Sequence, residues 1–375
     1  MDRKDFDTMK APTTRTRRAG FTLIELLMVI FLIGILATIL GFAANRALRA
    51  ARQTRVQTEI EQLSNAVETF KNDRGAYPPT WGTFIVEAPQ PQQKKQRIQR
   101  FIAKAFPRYT GNYDQMRAQI SLSTKVLVPA VNAVTSGAIT LTASSTGNAS
   151  TDGGLDINNL DPAETLVFWF GGIPNAMAEN KLAGFRSDVT SPFLDPQYPS
   201  IDPTNPATLT GRSTSAFPFQ PSRLVDRDHD GWWEYLPANS QDKDLGPPLV
   251  YFDNLVYGLG VFYPQTGPSS FTSSIPADQV ALATNATTWG AVGPYANEGL
   301  PTGKPVLTWQ KSLAFQIIAP GLDNLFNPDM NQGNMTTTAP FFAKLEFFPS
   351  GMNFVEQDRD NLTNFYQGPL GDAFE

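Results

Sequence analysis

From Phe21 to Ala44 the chain carries a single ionisable side chain, Glu25, in an otherwise apolar run. A helix needs about 20 such residues to cross a bilayer. Beyond Asn45 the pattern changes character without breaking. Val56, Ile60, Leu63, Val67 and Phe70 recur at spacings of 4, 3, 4 and 3, which describes one narrow helix face. No proline intervenes before Pro78, and Arg74-Gly75 supplies a stop. The pattern predicts one helix from Phe21 to Asp73, about 80 Å long at ~1.5 Å per residue. Its first half is apolar all round; its second half is amphipathic and needs a soluble partner for its stripe.

Further elements follow from the same kind of pattern. Lys94 to Lys104 is basic and amphipathic, with Ile98, Phe101, Ile102 and Ala105 on one side, and predicts a helix. Residues 126 to 151 are Val, Ala, Thr, Ser and Gly, short strands or an exposed loop. Asp161-Pro162-Ala163-Glu164 is a capping-box start with proline at the first helical position, opening an apolar helix through Phe170. Residues 187 to 221 hold seven prolines and predict a loop or linker. From Pro248 the texture turns to β: Leu249–Asp253, Leu255–Tyr263, Leu313–Ala319 and Phe341–Phe348 are short β-branched and aromatic runs, with a polar loop at 264–304. The expected fold class is α+β. A long N-terminal helix packs on an antiparallel sheet, the economical way to bury both faces.

Composition narrows the function. The chain has 375 residues, 41% of them hydrophobic, ample for a core beyond the apolar helix. Net charge is -5, and discounting the +3 held by the first 20 residues leaves -8 for the remainder. Such an acidic chain has no electrostatic footprint for nucleic acid. There is no cysteine, which excludes thiol redox chemistry and thiolate metal sites, and the single His229 disfavours histidine-based catalysis. No Gly-x-Ser-x-Gly, His-Glu-x-x-His or phosphate loop is present. The expectation is that the protein is not an enzyme; a membrane-anchored enzyme using a carboxylate pair is the third reading.

The N-terminal stretch admits a cleaved secretory signal or a plain signal anchor, but neither explains Glu25. A carboxylate at the start of a bilayer span costs about 2 to 3 kcal/mol and is a functional candidate by default. Arg15, Arg17 and Arg18 hold the preceding end in the cytoplasm by the positive-inside rule. Arg17-Arg18-Ala19-Gly20-Phe21-Thr22-Leu23-Ile24-Glu25 resembles the prepilin signal of type IV pilins and type II secretion pseudopilins. The resemblance implies peptidase cleavage between Gly20 and Phe21, N-methylation of Phe21, and a role for Glu25 in adding subunits to a filament by neutralising a neighbour's amino group. Arg46, Arg49, Arg52 and Arg55 follow the apolar run. A solvated face, lipid headgroups or a filament neighbour are all open to them.

Two further stretches carry the resemblance. Gly75-Ala76-Tyr77-Pro78-Pro79 is similar to the turn out of the long helix in the major pseudopilin, where glycine permits positive φ and the prolines end the helix. Phe315 to Asn324 and Asp360 to Phe365 resemble that family's C-terminal strand and calcium loop. The resemblance implies calcium ligands at Asp323, Asp360 and Asn361, with Asp358 as an extra carboxylate. Independently, Asp226, Asp228 and Asp230 with Gly231 match the first half of an EF-hand-like loop. There Trp232 offers a carbonyl and Glu234 a direct or water-bridged ligand. A plain Asp-rich turn is the alternative at both places.

The chain is therefore expected to divide into a leader (1–20), a transmembrane and assembly half-helix (21–44), an amphipathic half-helix and turn (45–80), a large loop-rich insertion (81–225) and a C-terminal β-sheet region (226–375). The resemblance implies a structural subunit of a pseudopilus or pilus-like filament, single-pass in the inner membrane. Its N-terminus is then cytoplasmic and its head periplasmic or extracellular. Implied partners are copies of itself, other pseudopilins, the prepilin peptidase and the inner-membrane assembly platform. The runner-up is a minor tip pilin whose enlarged head binds a surface, glycan or secreted substrate.

Overall fold

A computed structural model describes residues 21–82, 90–124, 155–158, 160–174, 182–194, 211–213, 215–226, 231–240, 246–263, 290–297, 308–330 and 345–374. The chain falls into two compact units, residues 1–50 and 51–375. Helix α1, Leu23–Arg74, contributes to both. In the first unit it is exposed on every side, with Leu23, Ile24, Phe31, Leu40 and Phe42 all open. Its length and composition suffice to cross a membrane.

In the second unit α1 presents the predicted stripe. Val56, Ile60, Leu63, Val67 and Phe70 are buried, and Glu59 is buried among them. The helix ends where expected, at Arg74 rather than Asp73. Gly75 takes φ of 78°, a left-handed conformation that favours glycine, and its amide donates to the Lys71 carbonyl at 2.6 Å. Tyr77-Pro-Pro-Thr-Trp81 is then fixed from several sides. The Tyr251 hydroxyl donates to Pro78 O (2.9 Å), the Trp169 indole to Pro79 O (3.2 Å), and the Thr80 amide to Asp253 Oδ2 (2.5 Å).

Among the described residues, the stretch expected to be a loop-rich insertion holds helices α2 (Gln90–Ala105), α3 (Tyr113–Thr124) and α4 (Thr165–Gly171). Helix α2 buries Ile98, Phe101, Ile102 and Ala105, as its spacing predicts. The capping box forms one turn ahead of α4. Asp161 Oδ1 accepts from the amides of Ala163 (2.7 Å) and Glu164 (3.1 Å), while Glu164 Oε2 accepts from the Asp161 amide (2.8 Å). Around α4 the rings of Trp81, Phe101, Phe168, Trp169, Phe185 and Trp232 interlock, mostly edge to face. Residues 126–151 lie outside the described residues.

The sheet region is split three ways. Strands β1 (Leu224–Val225) and β2 (Glu234–Tyr235) pair antiparallel. Strands β3 (Val250–Asp253), β5 (Phe315–Ala319) and β7 (Leu362–Thr363) form an antiparallel sheet with β5 in the middle. Strands β4 (Ala296–Asn297) and β6 (Phe347–Phe348) form a short parallel pair that sequence did not anticipate; β4 lies inside the expected polar loop. The expected strand at Leu255–Tyr263 is instead a run of turns, with Gly258 and Gly260 at φ of 67° and 74°. Of the Phe341–Phe348 run, residues 341–344 lie outside the described residues.

Alternation along β3 and β5 sorts side chains between two cores. Tyr251, Phe315, Ile317 and Ala319 join the α1 stripe, while Val250, Phe252 and Ile318 join Val256, Tyr295 and Phe326 on the other face. The central sheet is buried on both sides. The fold is α+β, a long N-terminal helix with antiparallel sheets and additional helices, consistent with a pilin-like fold.

Candidate assembly and ligand sites

Gly20 lies outside the described residues; Phe21, the next residue, is exposed. Thr22 and Glu25 cap α1 reciprocally. The Thr22 amide and hydroxyl both donate to Glu25 Oε2 at 2.8 Å, and the Glu25 amide donates to Thr22 Oγ1 at 3.3 Å. The pair occupies the helix end whose unpaired amides favour a negative charge. Among the described residues no cation stands against Glu25, and its second oxygen makes no hydrogen bond. The carboxylate is thus set at the head of an apolar helix with one oxygen open to an incoming positive group.

In the 226–234 loop, Asp228, His229 and Asp230 lie outside the described residues. Asp226 Oδ2 accepts from the Gly231 amide at 3.1 Å, and Gly231 has φ of 93°. Trp232 is buried edge-on against Phe168, its indole donating to Asp156 O at 3.1 Å. Glu234 is buried in β2 and its Oε1 accepts from the Tyr263 hydroxyl at 2.9 Å.

The C-terminal carboxylates do gather. Asp360 Oδ2 accepts from the amides of Leu322 (2.7 Å) and Asp323 (3.2 Å), tying the 321–324 turn to the 356–361 turn. Asp323 Oδ1 accepts from the Leu325 amide at 2.9 Å. Asp358 is fully buried, taking the Val355 amide at 3.0 Å and the Asn361 side-chain amide at 3.4 Å. Glu346, which sequence did not single out, lies alongside Asp358, held by Asn327 Nδ2 at 2.5 Å. Burial pushes Asp358 up to about 6 and raises both Asp360 and Glu346, the last also by the neighbouring Asp358 charge. Asp360 Oδ1 and Asn361 Oδ1 are buried without a hydrogen-bond partner. Among the described residues, no three acidic or histidine side chains converge in a group that could hold a metal ion.

Two ion pairs of the head also escaped sequence reasoning. Glu59 takes a bidentate guanidinium from Arg223, at 2.5 and 2.6 Å. Buried Asp253 takes Arg97 at 3.2 Å beside the Thr80 amide. A charged residue inside an apolar stripe was the available signal for Glu59; nothing in sequence linked it to a residue 164 positions away.

The prokaryotic N-terminal methylation motif matches residues 15–41, the stretch that holds Gly20, Phe21, Glu25 and the start of the apolar helix. The motif coincides with the start of a helix long and apolar enough to cross a membrane, which is consistent with membrane anchoring. The chain is also similar to the Type II secretion system core protein G of Aeromonas hydrophila, 35% identical over 68 residues, covering 18% of this chain and 46% of that protein. It therefore spans about half the length of the curated relative it matches. No solved structure matches the chain. The two matches support the pseudopilin and type IV pilin family.

Proposed function

We propose that the protein is a structural subunit of a type II secretion pseudopilus or a type IV pilus-like filament. A prepilin peptidase cuts between Gly20 and Phe21, Phe21 is N-methylated, and the mature chain waits in the inner membrane on the apolar half of α1. Before cleavage its N-terminus is cytoplasmic and residues 51–375 lie on the far side, positioned to meet other copies, other pseudopilins and the assembly platform.

The observation that carries this proposal is Glu25, a carboxylate with one open oxygen in an exposed apolar helix. Lipid offers it no compensation, at a cost of about 2 to 3 kcal/mol. The methylated amino group of a neighbouring Phe21 does. Burial of the apolar helices against one another then supplies filament cohesion. A tip subunit remains a second reading, favoured by the three helices and aromatic core of residues 81–225, a bulky head to repeat along a fibre.

Calcium is proposed at the C-terminal turns. The donors are the oxygens calcium takes, and Asp360 Oδ1 and Asn361 Oδ1 are buried without partners; Asp323, Asp358 and Asp360 do not converge as they stand, so binding would have to draw their carboxylates together. Bound there, calcium would supply the charge that now has to come from protons and amides. It would hold the turn at 321–324 against that at 356–361.

Intact-mass spectrometry of membrane-extracted protein tests the processing step, with a chain starting at Phe21 and carrying one methyl group expected. Glu25→Ala is expected to leave that mass change intact and abolish filaments. Normal filaments from the variant would remove Glu25 from the mechanism. A mature chain starting at Met1 would remove the processing.

A further inference from the structure

Arg46 and Arg49 lie two and five residues past Ala44, on the same side of α1, and both are exposed. Among the described residues neither makes an ion pair. From Leu26 to Thr58 the chain contains no acidic residue at all, so no intrahelical carboxylate is within reach of either guanidinium. At ~1.5 Å per residue their Cα atoms stand about 3 and 8 Å beyond the end of the apolar run. The headgroup layer on one side of a bilayer is about 5 to 8 Å deep, the difference between its full and hydrocarbon thickness shared between two faces. Arg52 and Arg55, at roughly 12 and 17 Å, lie outside it.

We infer that Arg46 and Arg49 form a docking site for the phosphate groups of anionic phospholipids at the non-cytoplasmic end of the membrane helix. The inference rests on the proposed membrane-anchored state and concerns the subunit before it enters a filament. Guanidinium offers paired donors that match phosphate oxygens, and its aliphatic stem lies along apolar surface while the head stays in the polar layer. The chemistry also opposes the positive-inside rule. Removal of residues 1–20 strips six basic side chains from the cytoplasmic flank and leaves the basic residues of the anchor on the far side. Cleavage therefore shifts the electrostatic hold on the subunit from its cytoplasmic end to its non-cytoplasmic end.

The test uses the processed chain beginning at Phe21, free of the six leader basic residues, in vesicles of phosphatidylcholine with a fraction of phosphatidylglycerol, probed by electron paramagnetic resonance of spin-labelled forms of each lipid. Wild type is expected to hold labelled phosphatidylglycerol roughly threefold or more over labelled phosphatidylcholine at low salt, converging on parity at high salt. Arg46→Gln/Arg49→Gln should abolish the preference, and Arg52→Gln/Arg55→Gln should keep most of it. Circular dichroism checks that each variant folds. Equal holding of both lipids by wild type, with a clear immobilised-lipid signal, overturns the proposal and leaves the membrane anchor standing. Loss of preference in the distal pair instead of the proximal pair overturns it too. No immobilised lipid of either kind would sink the anchor itself. Lipid parity combined with failed assembly of the proximal variant would reassign the arginines to an acidic surface on a neighbouring protein.

Discussion

Glu59 offers the sharpest test of how the head is held to its helix. Its Oε1 accepts from Arg223 Nη1 (2.5 Å) and the Tyr235 hydroxyl (3.3 Å), its Oε2 from Arg223 Nη2 (2.6 Å) and the Ala238 amide (2.9 Å). The two side chains are only 10% and 14% exposed, so solvent screens little of the pair. Glu59→Ala leaves Arg223 with the Leu236 carbonyl and the face of the Tyr235 ring, and strands the Ala238 amide. Breaking one side of such a pair costs ~3 to 5 kcal/mol, and a stranded buried amide ~1 to 3, within the same total rather than on top of it. The expected loss is about 4 kcal/mol, roughly a thousandfold in the folding constant. Glu59→Leu/Arg223→Leu removes both charges and should recover to within about 2 kcal/mol of wild type. Urea unfolding of a soluble form lacking the apolar half of α1, followed by tryptophan fluorescence, is run on wild type, Glu59→Ala, and the cycle of Glu59→Leu, Arg223→Leu and their double. A Glu59→Ala loss below about 1 kcal/mol, or additive single losses, would refute the assignment of this pair as the tie between α1 and the β1–β2 hairpin.

Other outcomes follow from the C-terminal turns. A Cβ on Gly321 would meet the Asp360 carboxylate at 1.9 Å, so Gly321→Ala must displace it. We expect a loss of about 1 to 3 kcal/mol and faster hydrogen exchange at the Leu322 and Asp323 amides. Burial pushes the folded pKa of Asp358 up to about 6 and raises that of Asp360, so above the ordinary aspartate value the folded state holds more protons than the unfolded chain. Stability should therefore fall as pH rises from about 4 through 6, with buried Glu346 extending the fall to higher pH. Calcium should flatten that slope, and a slope unchanged by millimolar calcium would count against binding there.

How much of this was legible depended on how local each signal was. The α1 stripe could be read from spacing alone, because burial of one helix face leaves a periodic mark. So could the Ile98/Ile102 face of α2 and the Asp161–Glu164 cap. Glu59 showed only as a charge within the stripe, and its pairing could not be read because Arg223 is remote in sequence. Helix α3 leaves a shorter mark: Tyr113, Met116 and Ile120 are buried at spacings of 3 and 4, but its last turn buries the polar Ser121, Ser123 and Thr124. The apolar run from Leu255 to Tyr263 suggested a strand, yet the left-handed conformations at Gly258 and Gly260 break it into turns. Strand β7 was hidden because Leu362-Thr363 sits between asparagines that resemble a ligand loop. Its role is set by pairing of Leu362 and Thr363 with β5, not by its own two residues.

The order of the central sheet has a consequence for export. Strand β5 pairs with β3 on one side and β7 on the other, and Gln57 Nε2 reaches from α1 to the Thr363 carbonyl at 3.2 Å, across 306 positions. Under the proposed topology the N-terminus stays in the cytoplasm and the head emerges from its α1 end, so the α1 stripe is delivered early and its seal late. Until residue 363 has emerged, one edge of the sheet and part of the stripe stay uncovered. The waiting time is set by transit of nearly the whole head, not by the intrinsic speed of helix formation. A chain exported in the proposed topology has a long vulnerable interval, during which a holding chaperone or a nearby bilayer surface competes for the same apolar face.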